Sequence, residues 1–362
     1  MKRTEVEQRA IFIGLAGSHG YGLNRPESDY DYRGVFIAPK SYYLGFNTIE
    51  QKDAGWDEPG LFPFIDGNED TVIYELRKVT QLLANANPNV LELLWLTNYP
   101  FKSEVGQHLI DHRDLFLSKK VKHTYTGYAF AQIKKIETHR KWLLSPPSKQ
   151  PLPSDFGITN EEPLSKEELN AFLEYLYLLV RGKVEYLEKS EELYKLLTAD
   201  IDFKGLLKQH PLPDDTLEYT EKLTYGRKDF IRLLQKSQGY HNALREWNAY
   251  LSWQKNRNPA RAGMERLAGY DLKHGMHCIR LLKGGVEILQ GKGVLVDRNL
   301  AGDAAELKAI LKGDYSYEEL KQLSEDLLAQ MIVVYEQSTL PHHPNQNKIN
   351  DLCMELVEMQ GW

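Results

Sequence analysis

The chain has 362 residues, 42% hydrophobic and 27% charged, which predicts roughly two domains at about 150 residues each and excludes wholesale disorder. Its 45 basic and 51 acidic side chains give a net charge of −6, so it is not a protein that coats nucleic acid through bulk charge, and any such contact must be a local patch. No apolar run approaches the roughly 18 residues of a membrane span, and the two cysteines, Cys278 and Cys353, can build neither a disulfide framework nor a four-cysteine zinc site; a reducing, cytoplasmic setting is the expectation.

In chain order, the polar N-terminus gives way to Ile11–Ala16, a short β-type run too brief for a signal peptide, which ends in the glycine-rich turn Gly17-Ser-His-Gly-Tyr-Gly22. Tyr30 to Ile37 reads as a second strand, closed by Ala38-Pro39. Thr71–Glu75 is a third strand, and Leu76–Ala84 then turns helical, with Leu76, Val79, Leu82 and Leu83 on one face. Asn87-Pro88-Asn89 breaks that helix and Val90–Leu96 resumes it, with Leu91, Leu94 and Trp95 aimed inward. From about Val121 the signals are helical. Five prolines between Ser145 and Pro163 mark a long loop, after which Ser165-Lys-Glu-Glu168 forms a capping box, with Leu164 and Leu169 as its staple. That helix carries Leu169, Phe172, Leu173, Leu176 and Leu179 as a buried stripe. No 20–50-residue repeat and no Walker-type phosphate loop is present. The organisation read from these signals is a mixed α/β part, residues 1–117, followed by a mainly helical part, residues 118–362.

The most informative triplet is Asp29-Tyr30-Asp31. On a strand, alternation sends Asp29 and Asp31 to one face, roughly 6–7 Å apart, where they repel unless a cation lies between them. Beside a phosphate the fitting cation is Mg²⁺, which accepts one or two carboxylates and keeps waters. Just upstream, the Gly17-Ser18 turn offers backbone N–H groups and a hydroxyl to phosphate oxygens. Asp-x-Asp and Gly-Ser are each common alone; a strand ending in Gly17-Ser18, ten intervening residues, and a strand opening on Asp29-x-Asp31 is a far more specific combination.

With these residues the chain resembles the DNA polymerase β-type nucleotidyltransferase superfamily. More narrowly, Gly17-Ser-His-Gly-Tyr-Gly-Leu23 with Ser28-Asp-Tyr-Asp-Tyr-Arg-Gly-Val35 is similar to the RNA-ligase-associated nucleotidyltransferases (RlaP-like). Tyr74-Glu-Leu-Arg-Lys78 with Asn87-Pro-Asn-Val-Leu-Glu-Leu-Leu94, and Gly269-Tyr-Asp-Leu-Lys-His-Gly-Met-His-Cys-Ile-Arg-Leu-Leu282, extend the resemblance over most of the chain. It implies an α+β fold: a nucleotidyltransferase core of mixed sheet with flanking helices, then a helical domain that contributes nucleotide and acceptor contacts. It also implies a third carboxylate on a later strand. Asp70 and Glu75 flank the apolar residues of the third strand and, five apart, face opposite sides. A strand parallel to the Asp-x-Asp strand brings Asp70 to the site; an antiparallel one brings Glu75. Asp70 is preferred, since the superfamily places the acid ahead of that strand's apolar residues.

Lys273, His277 and Arg280 stand at i, i+4 and i+7 on one helix face, with Leu272, Met276, Ile279 and Leu282 opposite. Such a stripe suits a triphosphate tail, Arg as a bidentate fork and Lys as a point charge. The plain alternative is a solvated basic face, and the resemblance of this block favours the phosphate role. Asp271 could orient Lys273 or meet base or ribose. Lys134, Lys135, His139, Arg140 and Lys141 with Trp142, and Asn256–Arg261 with Trp247 and Trp253, pair cations with aromatics as single-stranded RNA contacts do, and equally fit a solvated helix and an ordinary loop. His342-His343 reads as a surface loop, and Glu92 as a helix-anchoring acceptor.

The expected activity is transfer of a nucleoside monophosphate from an NTP to an acceptor hydroxyl, with release of pyrophosphate. Asp29, Asp31 and Asp70 or Glu75 are the catalytic and Mg²⁺ (or Mn²⁺) carboxylates; Gly17, Ser18, Lys273, His277 and Arg280 bind the nucleotide. The resemblance implies an RNA end as acceptor, in RNA repair or processing, with an RNA ligase as functional partner. The alternatives are nucleotidylation of a protein or small molecule, and a non-catalytic nucleotide- or RNA-binding module.

Overall fold

The computed structural model describes residues 1–53, 60–65, 70–159, 162–170, 228–257 and 259–361. They divide into two compact units, one of Met1–Leu144 with Ala260–Trp362 and the other of Ser145–Pro259.

The first unit is built on a five-stranded mixed sheet. Its strands are β1 (Ala10–Ala16), β2 (Asp31–Phe36), β3 (Gln51–Lys52), β4 (Asp70–Glu75) and β5 (Phe101–Lys102), in the order β3-β4-β2-β1-β5. β2 and β4 are parallel and every other pair is antiparallel. Each face of the sheet covers its own core. Strand alternation sends Tyr32, Phe36 and Ile73 to one core, with Val6 and Ile13. The other face places Ala16 and Val35 in the larger core, which the helices fill. A β-bulge at Ile11 in β1 lets Ile11 and Phe12 enter the same core, where strict alternation would separate them.

The helices follow local chemistry. Leu76–Ala84 begins at Glu75, whose carboxylate accepts from the Arg77 N–H at 2.9 Å, and it buries Leu76, Val79 and Leu83. The break at Asn87 is real: its side chain caps a short helix, Pro88–Leu91, that runs into a 3₁₀ turn, Glu92–Trp95. Val121–Leu144 packs against Leu272–Leu289, whose buried side holds Leu272, Met276, Ile279 and Leu282 as the periodicity requires. Asp271 caps that second helix by accepting from the His274 N–H at 3.0 Å. Cys278 and Cys353 are both free thiols.

In the second unit, the capping box forms reciprocally: the Ser165 N–H donates to Glu168 Oε2 at 2.8 Å and the Glu168 N–H to Ser165 Oγ at 3.1 Å. Leu169 is buried, while Phe172, Leu173, Leu176 and Leu179 lie outside the described residues. Along Lys228–Asn256, Trp247, Tyr250 and Trp253 stand in sequence with ring centroids 6.0 Å apart, and the Arg257 guanidinium lies over the Trp253 ring. Among the described residues no helix is long and apolar enough to cross a membrane.

Candidate active site

Strand direction decides which acid approaches Asp31. Because β4 runs parallel to β2, Asp31 is paired in register with Asp70, and both strands begin at the same end of the sheet. Paired residues of neighbouring strands point to the same face, so the two carboxylates are cross-strand neighbours about 5 Å apart at the backbone. Glu75, at the far end of β4, is buried and engaged elsewhere. It accepts from the Tyr43 hydroxyl at 2.6 Å and from Arg77. Its carboxylate caps the helix that follows.

Asp29 departs from the strand-alternation reading. β2 begins at Asp31, and Asp29 is exposed in the segment that leads into it. It is still close enough to act on Asp31. Partial burial raises the Asp31 carboxyl above its ordinary value, the charges of Asp29 and Asp70 push the same way, and Arg33 and Lys273 oppose them. Three carboxylates and two cations therefore share one electrostatic site.

Arg33 is the member of this group that sequence reasoning missed. Its guanidinium lies 2.8 Å from Asp70 Oδ2 and 3.9 Å from Asp31 Oδ1, bridging the two acids. The signal was available: Arg33 is two residues after Asp31 on the same strand and so shares its face.

The Gly17-Ser18 turn packs directly on the acids. Ala16 pairs with Asp31, and Gly17 has a φ of +60°, in the left-handed region. A Cβ on Gly17 would stand 1.8 Å from Asp31 Oδ2, so only glycine admits the carboxylate there. The Ser18 hydroxyl is buried with no hydrogen-bond partner among the described residues, so none of them offsets its desolvation. A phosphate oxygen would satisfy it. His19 stacks on Tyr30 at 4.3 Å between ring centroids, which fixes the segment between turn and strand.

The late helix resolves into different roles. Lys273 is exposed and near enough to Asp31 to favour its ionised form. His277 is held neutral: burial, with Arg280 and Lys273 as positive neighbours, takes its pKa down to about 3. Arg280 is buried. Its Nη1 lies 3.0 Å from Glu92 Oε2, its guanidinium lies over the Tyr21 ring at 3.8 Å, and the Tyr21 hydroxyl donates to Glu92 Oε1 at 2.5 Å. The three residues share a face as expected, but Arg280 turns Nη1 to Glu92, the anchoring acceptor, and Lys273 is the exposed cation of the stripe. The orphaned Arg280 Nε is buried too, inside this network.

The basic cluster on Val121–Leu144 is likewise divided. Arg140 donates to the Gly269 carbonyl at 2.8 Å and lies over the Tyr317 ring, and His139 bonds Asp271 at 3.0 Å; Lys134, Lys135 and Lys141 remain at the surface. His342 and His343 lie in an exposed loop.

Asp29, Asp31 and Asp70 offer oxygen alone, the donor type a hard divalent cation such as Mg²⁺ takes, although their ligand atoms do not gather within 4.8 Å of one another in this structure.

Over 131 residues the chain is 30% identical to an uncharacterized 38.9 kDa protein in the nrdC-mobD intergenic region of Enterobacteria phage T4, covering 35% of this chain and 38% of the phage protein. It is 31% identical over 100 residues to the uncharacterized protein YcgL of Bacillus subtilis (strain 168), covering 27% of this chain and 35% of that protein. The chain thus matches little more than a third of the length of either relative. No solved structure matches it. The family model that matches ends at residue 145, so it includes the glycine turn, Asp29, Asp31 and Asp70 but not the 269–282 block. Residues 1–145 match the family model of RlaP, the RNA repair pathway DNA polymerase beta family.

Proposed function

We propose that the protein is a metal-dependent nucleotidyltransferase that moves a nucleoside monophosphate from an NTP to the hydroxyl of an RNA end. The observation that carries this reading is the parallel register of Asp31 with Asp70, beside Gly17 and the partnerless Ser18 hydroxyl. In the reaction the acceptor oxygen bonds to the α-phosphorus, the bond from that phosphorus to the bridging oxygen breaks, and pyrophosphate leaves. Asp29, Asp31 and Asp70 would hold Mg²⁺ or Mn²⁺, which when bound neutralises charge on the phosphates. Asp70, the more exposed partner of the pair, would take the acceptor proton. Gly17 and Ser18 receive phosphate oxygens, and Lys273 is the charge partner on the late helix. The sheet module 1–117 carries the chemistry, and the helical remainder, with Lys134, Lys135 and Lys141, offers cations to the RNA backbone. The family's description as an RNA repair family supports the RNA acceptor.

The test is incubation with each α-labelled NTP, Mg²⁺ or Mn²⁺, and a panel of RNA ends. Label on RNA that Asp31→Asn abolishes is the expected result. Label on the protein fraction or on a small molecule would move the acceptor to those classes. No label under any condition, with NTP still bound, would leave a non-catalytic nucleotide-binding module.

A further inference from the structure

His139, Asp271 and His274 lie outside the carboxylate set described above. Their ligand atoms all fall within 4.8 Å of one another: His139 Nδ1 is 3.0 Å, and His274 Nε2 is 3.7 Å, from Asp271 Oδ2. We propose that these three side chains form a second, chemically distinct metal site, one for Zn²⁺, that joins the Val121–Leu144 helix to the start of Leu272–Leu289.

The spacing is the first argument. Bonds of 2.0–2.1 Å at tetrahedral angles put ligand atoms about 3.3 Å apart, and the two distances to Asp271 Oδ2 bracket that value. Octahedral coordination brings neighbouring ligands to about 3.0 Å, so the spacing admits a small divalent ion and the choice of a tetrahedral one rests on the donor types. His139 Nδ1 meets Asp271 Oδ2 directly, whereas the 3.7 Å from His274 Nε2 is too long for a hydrogen bond and leaves that nitrogen turned to the carboxylate without bonding it.

The second argument is how the rings are held. His274 Nδ1 bonds Gln132 Oε1 at 2.7 Å. An amide oxygen only accepts, so Nδ1 carries the proton and the lone pair of Nε2 points to the cluster. An outer partner that sets the tautomer in this way is the usual companion of a metal-bound imidazole. Asp271 divides its two oxygens: Oδ1 accepts from the His274 N–H as helix cap, while Oδ2 meets His139 Nδ1, and an ion bound there would replace the proton between them. Both helices are long and tightly packed, so the donors sit on rigid elements. The side chains are 14–22% exposed, which leaves an approach for the ion and for a water as fourth ligand.

The third argument is selectivity. Two imidazoles and one carboxylate prefer Zn²⁺ over Mg²⁺, whereas Asp29, Asp31 and Asp70 offer oxygen alone. An ion here would also steady Lys273, which stands between two of its ligands and acts on Asp31.

The full chain, stripped with a chelator, is titrated with Co²⁺ and then with Zn²⁺. One equivalent of Co²⁺ should give the intense visible bands of a tetrahedral site, and Zn²⁺ should displace them. His139→Asn, His274→Gln and Asp271→Asn should each lose the bands, and Asp271→Asn retains an oxygen for the helix cap, so the loss is not one of folding. Gln132→Ala should weaken binding by about 10–100-fold. Asp31→Asn and Asp70→Asn should bind as the parent chain does, so failure of the transferase reading and failure of this one are separable. Absence of a tetrahedral spectrum, or bands that survive both histidine substitutions, would overturn the proposal.

Discussion

Replacing Arg280 with Ala should act first on stability. The side chain ties the late helix to the 3₁₀ turn through Glu92, 188 residues away, and covers the face of Tyr21, which itself bonds Glu92. Removing the cation leaves the Glu92 carboxylate buried, with the Tyr21 hydroxyl as its remaining donor among the described residues. Breaking one half of a buried pair costs about 3–5 kcal/mol, since the surviving charge keeps its desolvation penalty. At roughly 2–3 kcal/mol per molar urea, the unfolding midpoint should fall by about 1–2 M. Arg280→Met combined with Glu92→Leu removes both charges and fills much of the same space. That double variant should recover most of the loss, because a buried pair adds little over a well-packed apolar one. Urea titrations of the two single variants and the double variant complete the cycle. A wild-type midpoint for Arg280→Ala, together with a tenfold or greater loss of NTP affinity, would refute this reasoning and return Arg280 to the phosphates.

Asp31→Asn should abolish transfer while the metal-free protein melts no lower than the parent: the native carboxyl is raised by burial and by two like charges, so ionisation opposes folding above its unfolded value and the amide removes that cost. Asp70→Asn should cut the transfer rate at least about tenfold, or roughly 1.4 kcal/mol of barrier, with little change in stability because its ion pair with Arg33 is largely exposed. Glu75→Gln should do the reverse, costing about 1–3 kcal/mol of stability through the weakened Tyr43 and Arg77 bonds and leaving the rate near the parent's; single-turnover rates with melting curves check both, and a slow but stable Glu75→Gln would reassign the third acid. Gly17→Ala should lose transfer with an intact circular dichroism spectrum, since its Cβ would displace the Asp31 carboxylate; wild-type rates would show that the turn can yield. His277, depressed from 6.5 to about 3, binds a proton more readily when unfolded, so its contribution to stability is complete above pH 6.5 and is lost as pH falls toward 3; urea midpoints of His277→Gln should fall less over that range than the parent's.

Local signals were legible wherever local physics governed. The apolar period of Leu76–Ala84, the Asn87 break and the Ser165 capping box needed only neighbours a few residues apart, and each took the expected form. The choice between Asp70 and Glu75 turned on strand direction, which belongs to sheet pairing and is absent from a strand's own residues. Asp29 shows a finer limit: alternation relates side chains only once the strand has begun, and β2 begins two residues later. The late helix shows the largest one. Helical period established that Lys273, His277 and Arg280 share a face and that the apolar side turns inward. It could not say what meets that face. Glu92 and Tyr21 meet Arg280, and the outcome follows from their chemistry: a guanidinium opposite a carboxylate and an aromatic ring in a buried setting pairs there instead of waiting for a phosphate. Lys273, seven residues earlier and at the exposed start of the helix, has no such partner among the described residues and acts on the charge of Asp31. The same distinction explains the missed cluster. His139 was read with its basic neighbours, whereas its partner Asp271 is 132 residues away and was read with Lys273. Residue types marked both segments as chemically important; only the packing of two helices reveals that they share one site.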